Sequence, residues 1–170
     1  KRMILNNSIN KKIQTAVTLA LISSGVIPAV NAAEVTDASV NNPNGTTITN
    51  GLTNFAVDLD SGGPYTVINA GIISTAINNN TISGIEIDRV VLTTLTNTGV
   101  ISAENQSSSN DNARGVFLSG NNASIGTLTN SGTISGTAGD DAGSGVYLTG
   151  GYLGSATMTT LTNSGTISGT

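Results

Sequence analysis

The sequence predicts an all-β protein, a parallel β-helix (solenoid) with three short strands per coil, preceded by a signal-peptide helix. Three observations carry this. The ten residues from Leu128 to Thr137 recur unchanged from Leu161 to Thr170, and a looser copy runs from Leu95 to Ser102. The asparagines in these copies, Asn97, Asn130 and Asn163, are spaced by 33 residues, and a fixed period of this size marks a solenoid. Aromatic residues make up only 3% of the chain, so its interior must be built from Val, Ile and Leu, which suit strands.

The first element is a signal peptide over 1–32. Lys1, Arg2, Lys11 and Lys12 precede an apolar stretch from Ala16 through Ile22 to Ile27, followed by Pro28 and the small residues Ala29 to Ala33. A basic start, an apolar middle and a small-residue end form a secretory signal, with cleavage expected between Ala32 and Ala33. The apolar run is shorter than the ~20 residues of a bilayer-spanning helix, and Ser23, Ser24 and Gly25 interrupt it. Cleavage leaves Arg89 and Arg114 against ten acidic residues, a formal charge of −8. Nucleic acid is therefore excluded from the expected partners. The chain has no Cys and no His, so no disulfide, thiolate metal site or cofactor is expected.

Residues 33–45 are expected as an N-terminal cap or linker and 46–170 as the repeats. Thr47-Ile48-Thr49-Asn50-Gly51 reads as a degenerate copy of the Asn-Gly element, and Val67 to Ser74 as a better one, with Asn69 in the asparagine position. A second signature lies upstream in each repeat: Gly84-Ile85-Glu86-Ile87, Gly115-Val116-Phe117-Leu118 and Gly145-Val146-Tyr147-Leu148. Its second and fourth residues are aliphatic and its third varies, the period of a strand with one buried face. Ile85, Val116 and Val146 are expected to stack inside, as are Ile87, Leu118 and Leu148.

The Asn-Gly element supplies two more strands joined at a bend, with Leu95, Leu128 and Leu161 inward before it and Ile101, Ile134 and Ile167 inward after it. Asn and Gly suit the bend because both tolerate left-handed backbone angles. Asn69, Asn97, Asn130 and Asn163 are expected to stack as a ladder of hydrogen-bonded side chains. Thr96, Thr129 and Thr162 form an outward hydroxyl column, and Glu104 to Ala113 and Ala138 to Ser144 project as polar loops. Leucine-rich repeats share this period but need a helical or irregular convex side, and no segment after Ala33 shows a 3.6-residue apolar period.

A signal sequence followed by Leu-Thr-Asn-Ser-Gly-Thr-Ile-Ser-Gly and Gly-Val-x-Leu repeats resembles the passenger region of bacterial autotransporters, the type V secreted proteins of Gram-negative outer membranes. The resemblance covers about Thr46 to Thr170. It implies a right-handed helix, displayed on the cell surface or secreted, and a C-terminal β-barrel of the same polypeptide that anchors it in the outer membrane. No run of amphipathic strands of about ten residues is present, so the sequence reads as an N-terminal passenger fragment.

The acids read as dispersed, and Arg89 and Arg114 as solvated loop residues, which leaves no acid–base cluster. A serine triad lacks its histidine. Asp58 to Gly63 has the look of a calcium loop but lacks the later glutamate and reads as a turn; Asp140-Asp141 reads as a solvated loop. The expectation is a structural or binding passenger for adhesion or aggregation, not an enzyme. Its partners are host or neighbouring-cell surface molecules or a second copy, through the exposed aromatics Phe117, Tyr147 and Tyr152. The alternative is a β-helix polysaccharide-processing enzyme whose catalytic coils lie outside this segment.

Overall fold

The computed structural model describes residues 31–32, 34–49, 54–77, 81–106, 111–139 and 142–170. The expected signal-peptide helix lies outside these residues, apart from Asn31 and Ala32. Among the described residues there is no helix; the chain is a parallel β-solenoid with three strands per coil. Its strands are β1 (Asn31–Ala32), β2 (Val35–Thr36), β3 (Val40–Asn42), β4 (Thr47–Thr49), β5 (Phe55–Leu59), β6 (Tyr65–Asn69), β7 (Ile72–Ala76) and β8 (Ile82–Asp88). They continue as β9 (Val91–Asn97), β10 (Val100–Asn105), β11 (Ala113–Ser119), β12 (Ser124–Asn130), β13 (Thr133–Ala138), β14 (Gly143–Leu148), β15 (Thr157–Asn163) and β16 (Thr166–Gly169).

Every third strand pairs in parallel with its equivalent in the next coil. The first sheet runs β1-β4-β7-β10-β13-β16, the second β2-β5-β8-β11-β14 and the third β3-β6-β9-β12-β15. Stacking at ~4.8 Å places like residue on like. Ile48, Ile73, Ile101, Ile134 and Ile167 follow one another in register in the first sheet. Val57, Ile85, Val116 and Val146 do so in the second, and Val67, Leu95, Leu128 and Leu161 in the third. Except for the last coil, these side chains are fully buried, each worth about 1.5–3 kcal/mol of transfer free energy. In the last coil Val146 and Ile167 are half-buried, while Leu148 and Leu161 are exposed, since no described strand stacks on β14, β15 or β16.

The corner between the third and first sheets is the most uniform part. It holds two residues, 70–71, 98–99, 131–132 and 164–165, in four of the five coils. The carbonyl of every ladder asparagine before Asn163 accepts two N–H groups from the next coil's corner, as Asn97 does from Ser131 at 2.8 Å and Gly132 at 3.2 Å. The corner glycines are required for another reason than the one expected from sequence. None of Gly71, Gly99, Gly132 and Gly165 has positive φ. A Cβ on Gly132 would lie 2.0 Å from the carbonyl oxygen of Gly99, and one on Gly99 2.0 Å from that of Gly71. Glycine is there because the coils stack backbone on backbone. Apart from Gly45 just before β4, left-handed residues gather instead between the second and third sheets, at Asp37, Gly62, Gly63, Arg89, Gly120 and Asn122.

Thr47 to Thr49 is not the strand before the bend. It forms β4 after the bend, in register with Ile72 to Ser74, and the asparagine of that coil is Asn42, aligned with Asn69. Residues 43–46 are thus a four-residue version of the corner. The stretch 33–45, expected as cap or linker, contributes β2 and β3 to the first coil.

Candidate functional surface

Two arrangements stand out, one inside the Asn corner and one on the outer face of the second sheet. The asparagines at the corner are buried, with Asn42, Asn69 and Asn97 0% exposed and Asn130 1%. Each Nδ2 donates to the Oδ1 of the next asparagine: Asn42 to Asn69, Asn69 to Asn97 and Asn97 to Asn130 at 2.7 Å, and Asn130 to Asn163 at 2.8 Å. Each also donates at 3.0 Å to the carbonyl that follows the next corner, of Ile72, Val100, Thr133 and Thr166 in turn. Both amide hydrogens are used, so the ladder satisfies groups that burial would otherwise penalise. Its first rung, Asn42, escaped the sequence reading. Val40-Asn41-Asn42-Pro43-Asn44-Gly45-Thr46-Thr47-Ile48 matches Val67-Ile68-Asn69-Ala70-Gly71-Ile72-Ile73 once two inserted residues are allowed.

On the second sheet, Thr36, Asp58, Glu86, Phe117 and Tyr147 occupy successive strands in register. The variable position of each coil therefore forms one continuous outward column, Thr in the first coil, acidic in the next two and aromatic in the last two. Phe117 and Tyr147 have ring centroids 5.9 Å apart at an interplanar angle of 42°. The guanidinium carbon of Arg114 lies 4.1 Å from the Phe117 centroid and 4.5 Å from that of Tyr147, in cation–π range of both. Arg114 is thus a strand residue of β11 seated on two rings, not a solvated loop residue, and Phe117 is half-buried rather than exposed. Tyr147 is 40% exposed, and Tyr152, 101% exposed in the loop 149–156, touches neither ring. That loop is held by Leu153 N–H donating to Asn121 Oδ1 at 3.1 Å.

The acids are not dispersed. Glu34, Asp37, Asp58, Asp60, Glu86 and Asp88, six of ten, sit on strands or turns of the second sheet's early coils. Burial pushes the Asp58 carboxyl up to about 6, helped by the charges of Asp60, Glu34, Asp37 and Asp88. Glu86 is pushed up to about 7, again mainly by burial and then by Asp58. Ser119 Oγ lies 3.3 Å from both Glu86 Oε1 and Asp88 Oδ1, to which it donates. Aligning Val57-Asp58-Leu59 with Ile85-Glu86-Ile87 was the signal that this column existed.

At the turn after β5, burial of Asp37 works to raise its pKa. Hydrogen bonds from Ser61 Oγ at 2.6 Å and from the N–H groups of Ser61 at 2.9 Å and Asp60 at 3.0 Å outweigh that and lower it. This makes Asp58 to Gly63 a strand end and a turn latched to the preceding coil. Arg89 is a turn residue paired to Asp88, whose Oδ2 lies 2.8 Å from Nη2 and 2.9 Å from Nε. Among the described residues no group of three or more acids is arranged to hold a metal ion.

The outward threonines form two columns of the third sheet, Thr94-Thr127-Thr160 and Thr96-Thr129-Thr162; Ile68 occupies the latter in the preceding coil. Ala32 pairs with Ile48 across β1 and β4, whereas Ala33, the other residue of the expected cleavage site, and Asp140-Asp141 lie outside the described residues. No protein-family model, curated protein or solved structure matches this chain.

Proposed function

We propose that this chain is the exported start of an autotransporter passenger, a structural and binding β-helix displayed on a Gram-negative cell surface for adhesion or aggregation. The observation that carries the reading is the division of labour between corners. The Asn corner holds two residues in four of the five coils and is hydrogen-bonded from coil to coil, while the other two connections vary from 89–90 to 149–156 and from 33–34 to 106–112. A rigid axis with variable projections suits display. In this reading the partners are host or neighbouring-cell surface molecules or a second copy, and Phe117, Tyr147 and Tyr152 are the first candidates for contact. The outer membrane is reached through a barrel of the same polypeptide, and the chain is not an enzyme: without histidine, no residue here supplies a neutral imidazole base.

The alternative, a polysaccharide-processing β-helix enzyme, draws on the in-register carboxylates Asp58 and Glu86; its catalytic coils lie outside this segment. The test is to display the chain, fused to an outer-membrane barrel, on a non-adherent Gram-negative strain. Cells are expected to aggregate or adhere above a barrel-only control. The strands β13 and β14 take in Ala138, Gly143 and Ser144 of the expected loop, so deleting 139–142 between them, or replacing Phe117, Tyr147 and Tyr152 with Ala, is expected to reduce this. Displayed, protease-resistant passenger with no adhesion or aggregation would defeat the proposal, and release of reducing ends from a polysaccharide panel would favour the alternative.

A further inference from the structure

We propose that the acidic column of the second sheet is a proton-operated clasp between the second and third coils, tightening their stacking in mildly acidic surroundings and loosening it as both carboxylates ionise. Asp58 on β5 and Glu86 on β8 are registered partners, so parallel pairing holds their Cα atoms ~4.8 Å apart, and both side chains are half-buried. Like charges at such a cross-strand position oppose the pairing that brings them together, and partial burial denies them full screening by water. The surroundings deepen the effect. Glu34 and Asp37 lie on the first-coil side, Asp60 and Asp88 follow Asp58 and Glu86 on their own strands or turns, and all four are acidic.

The cations near the column also hold other partners. Arg89 pairs with Asp88, and Arg114, whose charge lowers the Glu86 pKa only as a minor influence, is seated on Phe117 and Tyr147. A single proton held by either carboxyl removes one of the two facing charges while Ser119 continues to donate to Glu86.

The direction with pH follows from the raised values. Asp58 ordinarily titrates at 3.8 and here at about 6, and Glu86 moves from 4.5 to about 7. The folded chain therefore holds more protons than the unfolded chain between about pH 4 and 7, and stability falls as pH rises through that window. Both side chains retain some solvent contact, so the expected effect is nearer tenfold than the full hundredfold of a two-unit shift.

The experiment is amide hydrogen exchange and thermal melting of the full chain from pH 5 to 8, after correction for intrinsic exchange. The wild type is expected to show β5 and β8 amides about tenfold better protected at pH 5 than at pH 8, and a higher Tm. Asp58→Asn with Glu86→Gln, near-isosteric changes, is expected to remove most of that dependence and to melt above the wild type at pH 8. Glu104→Gln, an exposed acid on the first sheet, is expected to keep the dependence. A wild-type Tm that is flat or rises towards pH 8 would overturn the clasp, as would a full pH dependence in the double variant.

Discussion

Replacing Asn97 by Ala tests whether the ladder stabilises the solenoid or merely accompanies it. The Asn97 side chain donates to Asn130 Oδ1 at 2.7 Å and Thr133 O at 3.0 Å and accepts from Asn69 Nδ2 at 2.7 Å. Its loss leaves one Asn69 hydrogen, the Asn130 oxygen and the Thr133 carbonyl without these partners, the first two at 0–1% exposure. Orphaned buried groups cost about 1–3 kcal/mol each, and allowing for relaxation the expected loss is about 4 kcal/mol. That is a large share of a net stability of about 5–15 kcal/mol.

Solenoid stability is a sum of neighbour terms, so a single melting midpoint blurs the effect. Exchange of the Ser131 and Gly132 amides, which donate to the Asn97 carbonyl, reads it locally, with acceleration of about a thousandfold for a loss of 4 kcal/mol. Asn163→Ala, at an exposed rung, is expected to cost less than about 1.5 kcal/mol. Combining Asn69→Ala with Asn97→Ala should cost about 1 kcal/mol less than the separate losses together, because one bond is shared. If Asn97→Ala costs under about 1 kcal/mol, or no more than Asn163→Ala, the ladder is not a stabilising element and the reasoning fails.

Gly132→Ala is expected to cost more than about 3 kcal/mol in urea unfolding, because the added methyl meets carbonyl oxygen rather than a yielding side chain. Gly45→Ala is the comparison: its site is open but its φ is +82°, and about 1 kcal/mol is expected; equal losses would refute the close-approach account. Ile101→Ala removes a fully buried column member and is expected to cost about 3 kcal/mol. Ile167→Ala, half-buried in the last coil, should cost clearly less in the same measurement.

The repeat period made the coil, its three strands and its apolar columns legible, because Ile-on-Ile and Leu-on-Leu stacking requires each coil to repeat the same pattern. Asn69, Asn97, Asn130 and Asn163 were readable as a ladder for the same reason. Asn42 was not, because an insertion at its corner separates it from Ile48. The corner glycines were located correctly but explained wrongly: a sequence shows that Cβ is excluded, not whether φ or a neighbouring carbonyl excludes it. The acidic column was hidden because Asp58 and Glu86 are 28 residues apart in coils that precede the regular period. Arg114 was misplaced because its position before Gly115 is polar in sequence, and only the folded strand shows the two rings it covers.

The corner at each ladder asparagine, two residues long after all but Asn42, acts as an index mark. Successive asparagines are 27, 28, 33 and 33 residues apart, yet all five fall on one line, because length is gained in the other two connections. Every coil is re-zeroed at this line, so an insertion in one coil shifts neither the rotational phase nor the register of the next. The chain can therefore revise what it projects to either side without renegotiating its axis. Insertions within 98–99 or 131–132 lack that freedom, because there the next coil's glycine already rests on the carbonyl below.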